Sequence, residues 1–260
     1  MTTAAELRQA CVEAVRCGGA ILADRFHRPR TIERKGSTDL VTDADRASEA
    51  AVLGLLRQRY PEAAILAEES GAHGRAEAAL RFYVDPLDGT SNYAHGLPHF
   101  AVTVAVADQD GLLAGATLDP LRGELFSAGR GEGASLGERR LRVSSCRTLE
   151  HALLATGFAN DVQADFGRPL ELFGEFIRRS PTIRRLGSAA IDLAYVAAGR
   201  FDGFWEERLN PWDVAAGILL VREAGGTVTD LSGGERMLET GGLVAAAPAL
   251  VEPILAVTRH

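Results

Sequence analysis

Cysteine is scarce in this sequence of 260 residues, which contains only three: Cys11, Cys17 and Cys146. They have no paired CxxC spacing, so neither a disulfide framework nor a zinc site is predicted, and a reducing, cytoplasmic location fits best. A long apolar run is missing from the N-terminus, where charged residues are interspersed among the alanines of residues 4–24. That segment is therefore predicted to be neither a signal peptide nor a membrane span, and we expect no association with a membrane.

Positive charge is in deficit, because 28 Lys and Arg residues stand against 35 Asp and Glu residues and give a formal net charge of −7. This balance argues against a general nucleic-acid-binding protein. No GxGxxG motif follows a predicted strand, so a dinucleotide cofactor is not expected. Only His95 and His99 among the six histidines are spaced i, i+4, and Ser70 has no GxSxG context, so no serine, cysteine or histidine nucleophile is expected.

The apolar fraction of 46% is enough to bury the core of one compact domain. We predict two packed halves, residues 1–145 with an antiparallel meander and residues 146–260 with α/β character. Apolar periodicity and cap residues predict helices over 4–24, 43–59, 164–178, 189–198, 211–224 and 249–257. Strands are predicted over 63–67, 81–84, 100–107, 112–118, 124–127, 152–156, 182–186, 201–205, 227–230 and 243–246. Residues 72–80 are predicted to form a surface loop or a short helix.

The most informative stretch is Asp-Pro-Leu-Asp-Gly-Thr at residues 85–90. Residues 81–84 have a strand pattern, so Asp85 is expected at the end of a strand, a common place for chemistry in α/β folds. Pro86 cannot continue the ladder because it has no N–H group. Two carboxylates beside a Gly-Thr pair that can hold a phosphate predict Mg²⁺ and a phosphate ester. An Asx turn that closes a hairpin is the alternative.

Three other acidic residues occupy comparable positions. Glu68 directly follows the predicted strand 63–67, although a solvated turn explains it equally well. Asp213 lies in the first turn of a predicted apolar helix, where a simple helix cap is the alternative. Asp45 follows Thr42 by three residues as in a capping box, and the sequence cannot separate that role from one near a metal ion.

The same motifs occur together in a known family. The 85–90 block, preceded by Glu-Glu-Ser at 68–70 and followed by Trp-Asp-Val-Ala-Ala-Gly at 212–217, resembles the inositol monophosphatases, which are Mg²⁺-dependent, lithium-sensitive phosphatases. The resemblance covers nearly the whole chain, includes Lys-Gly at 35–36 and Gly-Ser-Ala-Ala at 187–190, and is strongest to the bacterial inositol-1-monophosphatase type. It implies an α/β (α+β) fold, the layered α/β/α/β/α sandwich of the inositol monophosphatase/fructose-1,6-bisphosphatase type, and a homodimer.

The resemblance also implies roles for individual residues. Two or three Mg²⁺ ions are expected, with ligands from four side chains and one main-chain carbonyl: Glu68, Asp85, Asp88, Asp213 and the carbonyl of Leu87. The residues expected to help activate the attacking water are Glu68, Thr90 and Asp45. Those expected to contact the phosphate or the alcohol of the substrate are Gly89, Thr90, Gly187, Ser188, Ala189, Glu206 and Asp213. Lys35 is expected to close over the site from a loop.

The expected reaction is hydrolysis of a phosphate monoester, inositol monophosphate in the first instance, by direct attack of metal-activated water without a phosphoenzyme. Fructose 1,6-bisphosphate, histidinol phosphate and an adenosine bisphosphate are alternative substrates on the same fold. Glu206 favours a neutral polyol, whereas Arg184 and Arg185 could serve an anionic group. Two further hypotheses remain: a haloacid-type phosphatase, whose DxDGT signature spaces its acids by two rather than three, and a non-catalytic protein that binds a macromolecular partner.

Overall fold

The computed structural model describes residues 2–28, 32–34, 40–159, 162 and 166–259. Its helices are α1 (Ala4–Arg25), α2 (Asp43–Arg59), α3 (Thr90–Ala94), α4 (Gly167–Arg179), α5 (Ala189–Ala197), α6 (Pro211–Glu223), α7 (Met237–Thr240) and α8 (Val251–Thr258). Its first ten strands are β1 (Ile32–Arg34), β2 (Leu40–Thr42), β3 (Ala64–Ala67), β4 (Gly71–His73), β5 (Arg81–Asp88), β6 (Ala101–Asp108), β7 (Gly111–Asp119), β8 (Glu124–Gly129), β9 (Gly133–Leu136) and β10 (Arg139–Arg140). The remaining strands are β11 (Leu153–Thr156), β12 (Thr182–Arg184), β13 (Gly203–Glu206), β14 (Thr227–Thr229) and β15 (Leu243–Ala246).

Two sheets form the framework. The first has eight strands in the order β10-β9-β8-β7-β6-β5-β3-β4, and the second has five in the order β12-β11-β13-β15-β14. Strands β6, β7 and β8 pair antiparallel in sequence order, so the predicted meander is confirmed. The exception in the first sheet is the parallel pairing of β3 with β5, which has a direct consequence for the candidate site. A separate two-stranded ribbon pairs β1 with β2.

Helices alternate with the sheets in five layers. Helices α1 and α2 cover one face of the eight-stranded sheet, and Leu7, Val15 and Val52 share a core there with Phe82 and Val104. Helices α5 and α6 lie between the two sheets and contact both. Helices α4 and α8 pack with the outer face of the five-stranded sheet. The order is α/β/α/β/α, which confirms the predicted sandwich.

The middle layer explains why α6 reads as almost wholly apolar. Every residue from 214 to 221 is buried, because a helix between two sheets has no face left for solvent. The helix also packs very closely on β7, where a Cβ atom added to Gly115 would lie 2.9 Å from the Cα atom of Ala216. Glycine at this position therefore permits the close approach of helix and strand.

Cap residues begin the helices where the sequence indicates. Thr3 and Glu6 form a capping box at α1, and Thr42 and Asp45 form one at α2. Pro211 occupies the first turn of α6, where its missing N–H group costs nothing. In the described part of the chain, no helix is both long enough and apolar enough to cross a bilayer.

Two local predictions were wrong. Residues 71–73 form strand β4, paired with β3, rather than a loop or a helix. Strand β5 does not end at Asp85 but continues to Asp88, and its register with β6 shifts between these two residues. The irregularity accommodates Pro86, which has no N–H group for the ladder.

The division into halves at residues 145 and 146 stays a prediction; the eight-stranded sheet lies before it and the five-stranded sheet after it.

Candidate active site

The parallel pairing of β3 and β5 brings the first two acids together. Ala67 is opposite Val84 in the register, so Glu68, which directly follows β3, lies beside Asp85 of β5. The main-chain N–H of Glu68 donates a hydrogen bond to the carbonyl of Val84 at 3.1 Å. The carboxyl groups of Glu68 and Asp85 lie within hydrogen-bonding reach of each other. Two carboxyl groups this close need a proton or a cation between them.

The irregular end of β5 fixes the next groups. Asp85 Oδ1 accepts a hydrogen bond from the main-chain N–H of Leu87 at 2.9 Å. Ser48 of α2 donates its hydroxyl to the carbonyl of Pro86 at 2.9 Å, which ties this segment to the first helical layer. The carbonyl of Leu87 accepts from the Thr90 hydroxyl at 3.0 Å. Side chains of Ser48, Asp85 and Thr90 therefore hold residues 85–88, where Pro86 has no N–H group to donate to the neighbouring strand.

The remaining two acids are tethered through one oxygen each. Asp88 Oδ2 accepts from the Ser188 hydroxyl at 2.5 Å and from the main-chain N–H of Ala190 at 2.7 Å, so it also caps α5. Asp213 Oδ2 accepts from the main-chain N–H of Asn210 at 2.7 Å at the start of α6. Asp213 therefore has the capping role that the sequence offered as its alternative, whereas the capping role of Asp88 was not predicted. Both acids also line the same cleft.

The cleft has a volume of about 500 Å³, and all four acids are in its lining: Glu68, Asp85, Asp88 and Asp213. Burial, followed by the charges of the other three, raises the pKa of Asp85 well above its ordinary value. Burial raises the pKa of Asp88 to about 6, against the opposing effect of the hydrogen bonds from Ser188 and Ala190. The protein therefore concentrates negative charge where little solvent can screen it.

This donor set fits a hard divalent cation. Carboxylate and carbonyl oxygens are the ligands that Mg²⁺ takes in proteins, and a cation would relieve the repulsion around Asp85. Among the described residues, no three His, Cys, Asp or Glu side chains are grouped tightly enough to hold a metal ion as they stand. Asp88 and Asp213 are held in the lining by the hydrogen bonds that their Oδ2 atoms accept.

Thr90 and Asp45 form the predicted pair. The hydroxyl of Thr90 lies 3.1 Å from Asp45 Oδ1 and 3.0 Å from the carbonyl of Leu87, and its single proton can be donated to only one of them at a time. Asp45 Oδ2 accepts from the main-chain N–H and the hydroxyl of Thr42. One carboxylate therefore caps α2 with one oxygen and orients Thr90 with the other, which joins the two roles that the sequence could not separate.

Gly89 connects β5 to α3 in a conformation that favours glycine. Its φ is +94°, and an added Cβ atom would lie 3.1 Å from the carbonyl oxygen of His99 and 3.2 Å from that of Gly187. Both the left-handed backbone and the close approach of two carbonyl groups exclude a larger residue. The turn lets the chain reverse at the cleft, so that Thr90 lies beside Asp88.

The second half of the chain supplies the opposite wall of the cleft. Its predicted residues all belong to the lining: Gly187, Ser188, Ala189 and Glu206. Glu206 is buried, and the burial raises its pKa well above the ordinary value. Its carboxylate lies over Gly157, where a Cβ atom would clash with it, so the absence of a side chain at that position makes room for Glu206.

Several lining residues were not predicted as site residues. They are Ser91, Asn92, Gly157, Phe158, Ala159, Arg185, Asp192, Arg208, Leu209 and Asn210. Arg185 was considered only for an anionic substrate, and Asp192 reads as one polar residue in an apolar helix. Spacing offers a signal for Asp192, because it follows Ser188 by four residues and therefore shares its face of the helix. Lys35, the predicted loop contact, lies outside the described residues.

Comparison with known proteins agrees with this geometry. The sequence model of the inositol monophosphatase family matches residues 3–260. The Nus factor SuhB of Salmonella typhimurium is 45% identical over 247 residues, which are 94% of this chain and 92% of that protein. The structure of the extragenic suppressor protein suhB from Bartonella henselae superposes with a TM-score of 0.92 at 40% identity, covering 96% of this chain and 97% of that one. An inositol monophosphatase from Anabaena gives 0.88 at 36% identity, covering 97% and 94%.

The five-layered fold and its acidic cleft define a metal-dependent phosphatase. More particularly, the chain belongs to the inositol monophosphatase family, since the family match spans almost its whole length.

Proposed function

We propose that this protein hydrolyses a phosphate monoester of a polyol, with inositol monophosphate as the leading candidate, and that it requires Mg²⁺. The observation that carries the proposal is the convergence of Glu68, Asp85, Asp88 and Asp213 on one cleft from three separate segments of the chain. A structural protein gains nothing from such repulsion, whereas a site for cations and a phosphate requires it.

The ion-binding roles are part of this proposal. Glu68, Asp85 and the carbonyl of Leu87 would hold one ion, and Asp85, Asp88 and Asp213 a second, with a weaker third beside Glu68. Bound Mg²⁺ supplies an acidified water and balances charge on the phosphate. The close Glu68–Asp85 carboxyl pair and the hard oxygen donors support this assignment.

The protein's own groups would orient the reactants. We assign to Thr90, held by Asp45 at 3.1 Å, the orientation of the attacking water, together with Glu68. The main-chain N–H groups of Gly89 and Thr90 would bind the phosphate. The wall formed by residues 187–189 and Glu206 would receive the alcohol, with Asp213 beside it. We assign the attack to water, with no serine, cysteine, histidine or aspartate nucleophile and no phosphoenzyme.

A homodimer is the assembly that we propose, as the family resemblance implies. One observation supports a protein contact along α4: Phe166, Leu170 and Ile177 are 63%, 61% and 52% exposed and lie on one side of the helix. Light scattering coupled to gel filtration measures the mass directly. A mass of one chain would contradict this part of the proposal without affecting the hydrolysis.

The test of the activity is phosphate release from a panel of esters with Mg²⁺ and with a chelator. The panel contains inositol 1-phosphate, fructose 1,6-bisphosphate, histidinol phosphate and an adenosine bisphosphate. We expect Mg²⁺-dependent release, fastest from inositol 1-phosphate. Release from none of the esters would overturn the proposal and favour the non-catalytic, partner-binding alternative. A trapped phosphoaspartate would instead favour the haloacid-type mechanism.

A further inference from the structure

Asp192 is a buried acid whose Oδ1 atom accepts no hydrogen bond from the described residues. It lies in the first turn of α5 and is 1% exposed, yet it belongs to the lining of the cleft. Its Oδ1 atom is buried without a hydrogen-bond partner among the described residues. An unsatisfied buried carboxyl group is costly, and such groups in native proteins call for a specific explanation.

Helix capping does not explain Asp192. The N-terminal N–H groups of α5 are already bonded elsewhere: that of Ala190 donates to Asp88 Oδ2 at 2.7 Å and that of Ile191 to Ser188 Oγ at 3.4 Å. The main-chain N–H of Asp192 donates to the carbonyl of Ser188 at 3.0 Å as an ordinary helical bond. The side chain is therefore not needed to satisfy the helix.

The position of Asp192 directs it toward the alcohol end of the cleft. It is one helical turn after Ser188, whose hydroxyl contacts Asp88, so both side chains lie on the face that lines the cleft. Burial, followed by the charge of Asp88, raises the pKa of Asp192. Burial, followed by the charge of Asp192, raises the pKa of Glu206. Arg185 acts on both Asp192 and Glu206 in the opposite direction.

Asp192 and Glu206, which we name the acceptor pair, therefore present carboxyl oxygens to whatever occupies this end. The carbonyl oxygen of a carboxyl group accepts hydrogen bonds whether or not the group carries a proton. A leaving group that carries hydroxyl or ammonium groups can satisfy them. A second phosphate group offers only acceptor oxygens and like charge, which Arg185 offsets in part.

We propose that Asp192 is a specificity-determining residue that, with Glu206, selects leaving groups with hydrogen-bond donors and disfavours a second phosphate. This inference rests on the proposed function, because it names the alcohol that the same site accepts. A hydroxyl or ammonium group of the bound substrate would donate the hydrogen bond that Asp192 Oδ1 lacks among the described residues.

The test is Asp192→Asn, assayed for kcat/KM with three substrates in the presence of Mg²⁺. We expect the value for inositol 1-phosphate to fall about tenfold, or about 1.4 kcal/mol, because an amide NH2 group replaces one of the two carboxyl oxygens that face the alcohol. Histidinol phosphate, whose ammonium group gains from a charged partner, is expected to lose at least as much. Fructose 1,6-bisphosphate is expected to be unchanged or faster, so the preference for the monophosphate falls by about tenfold or more.

The matched control is Asp202→Asn, the same chemical change in the second half of the chain. Asp202 Oδ2 accepts from the main-chain N–H of Leu153 at 2.7 Å, and Asp202 is not in the lining of the cleft. We expect this variant to keep the wild-type ratio between substrates. As a readout independent of turnover, binding of free inositol measured by calorimetry should weaken in Asp192→Asn and stay unchanged in the control.

The outcomes separate this inference from the proposed function. If the wild-type protein releases phosphate from no ester, the proposed function fails. If the wild-type protein is active and Asp192→Asn changes all three substrates by the same factor, or changes none, the specificity role of Asp192 is overturned while the hydrolase activity stands. Unaltered inositol binding in that variant would likewise contradict the inference.

Discussion

The turn between β7 and β8 and the first turn of α5 each bury an aspartate, with opposite results. Asp119 is 1% exposed, and its carboxylate accepts from the main-chain N–H groups of Leu121 and Arg122 and from the Arg122 guanidinium at 2.5 Å. Asp192 is equally buried, but its Oδ1 has no partner among the described residues. One carboxylate completes a turn, whereas the other faces a cleft.

The contrast separates structural acids from functional ones. A buried acid that is fully satisfied stabilises the native chain, because its removal leaves donors unpaired. An acid that lacks partners destabilises the chain, and the protein keeps it only if a ligand supplies the missing contacts. The acids of the cleft also destabilise the ligand-free chain, in their case through mutual repulsion. Activity and stability should therefore respond in opposite ways in the two regions.

The largest effect is expected at the cation end of the cleft. Asp88→Asn keeps an oxygen for the hydrogen bonds from Ser188 and Ala190 but removes a charge assigned to ion binding. We therefore expect phosphate release to fall by about a thousandfold, or roughly 4 kcal/mol of barrier, with the fold preserved. Steady-state kinetics and circular dichroism measure the two quantities. Turnover at the wild-type rate would remove Asp88 from the site; Asp119→Asn is the control that should keep its rate per folded molecule.

The pH dependence of stability should reveal His99, a histidine that is affected by both Asp119 and Arg122. Burial, aided by the nearby Arg122, lowers the pKa of His99 to about 4 from 6.5, with Asp119 opposing. Between pH 6.5 and 4, His99 is protonated in the unfolded chain but stays neutral in the folded chain. The free energy of unfolding therefore falls as the pH decreases from 6.5 toward 4. The loss approaches about 3 kcal/mol.

The measurement is urea unfolding between pH 4 and 7.5 for the wild-type protein and for His99→Gln. The difference between their pH profiles isolates His99 from the carboxyl groups that titrate in the same range. The control is His151→Gln, which replaces an exposed histidine bonded to Thr148 and should leave the profile unaltered. Equal slopes for the wild-type protein and His99→Gln would contradict the expected contribution.

Removal of the structural acid should cost stability. Asp119→Ala leaves the N–H groups of Leu121 and Arg122 and the Arg122 guanidinium without their acceptor, so we expect a loss of about 2 kcal/mol in the free energy of unfolding. Chemical denaturation measures the loss. An unchanged midpoint would show that solvent replaces the carboxylate and that burial alone does not make an acid structural.

The smallest effect has the opposite sign. Asp192→Asn removes the charge of an unsatisfied buried carboxyl group, so we expect a gain of about 1 kcal/mol in the free energy of unfolding at neutral pH without ligand. Denaturation of the ligand-free protein measures it against Asp202→Asn. A loss of stability would place Asp192 with Asp119 among the structural acids.

Local patterns predicted much of the fold because the physics that they encode is local. Capping boxes begin α1 and α2. The apolar residues 214–221 indicated that α6 is buried, and the helix lies between the two sheets. The acids after strand patterns were found as candidates for the same reason. The continuation of β5 past Pro86 was missed, since the shift in register depends on its partner β6 and not on its own residues.

The sequence by itself determined which residue types are present for the chemistry and which local elements carry them, because caps, turns and periodicity act over a few residues. Only the tertiary structure decided which acids share a cleft. The parallel pairing of β3 with β5 placed Glu68 against Asp85, and the packing of α5 and α6 between the sheets brought Asp192 and Asp213 to the cleft that Asp88 also lines. Charges interact through space and not along the chain, so the repulsion between these acids arises only once distant segments have packed together. The burial of Asp192 Oδ1 without a described hydrogen-bond partner depends on the same packing.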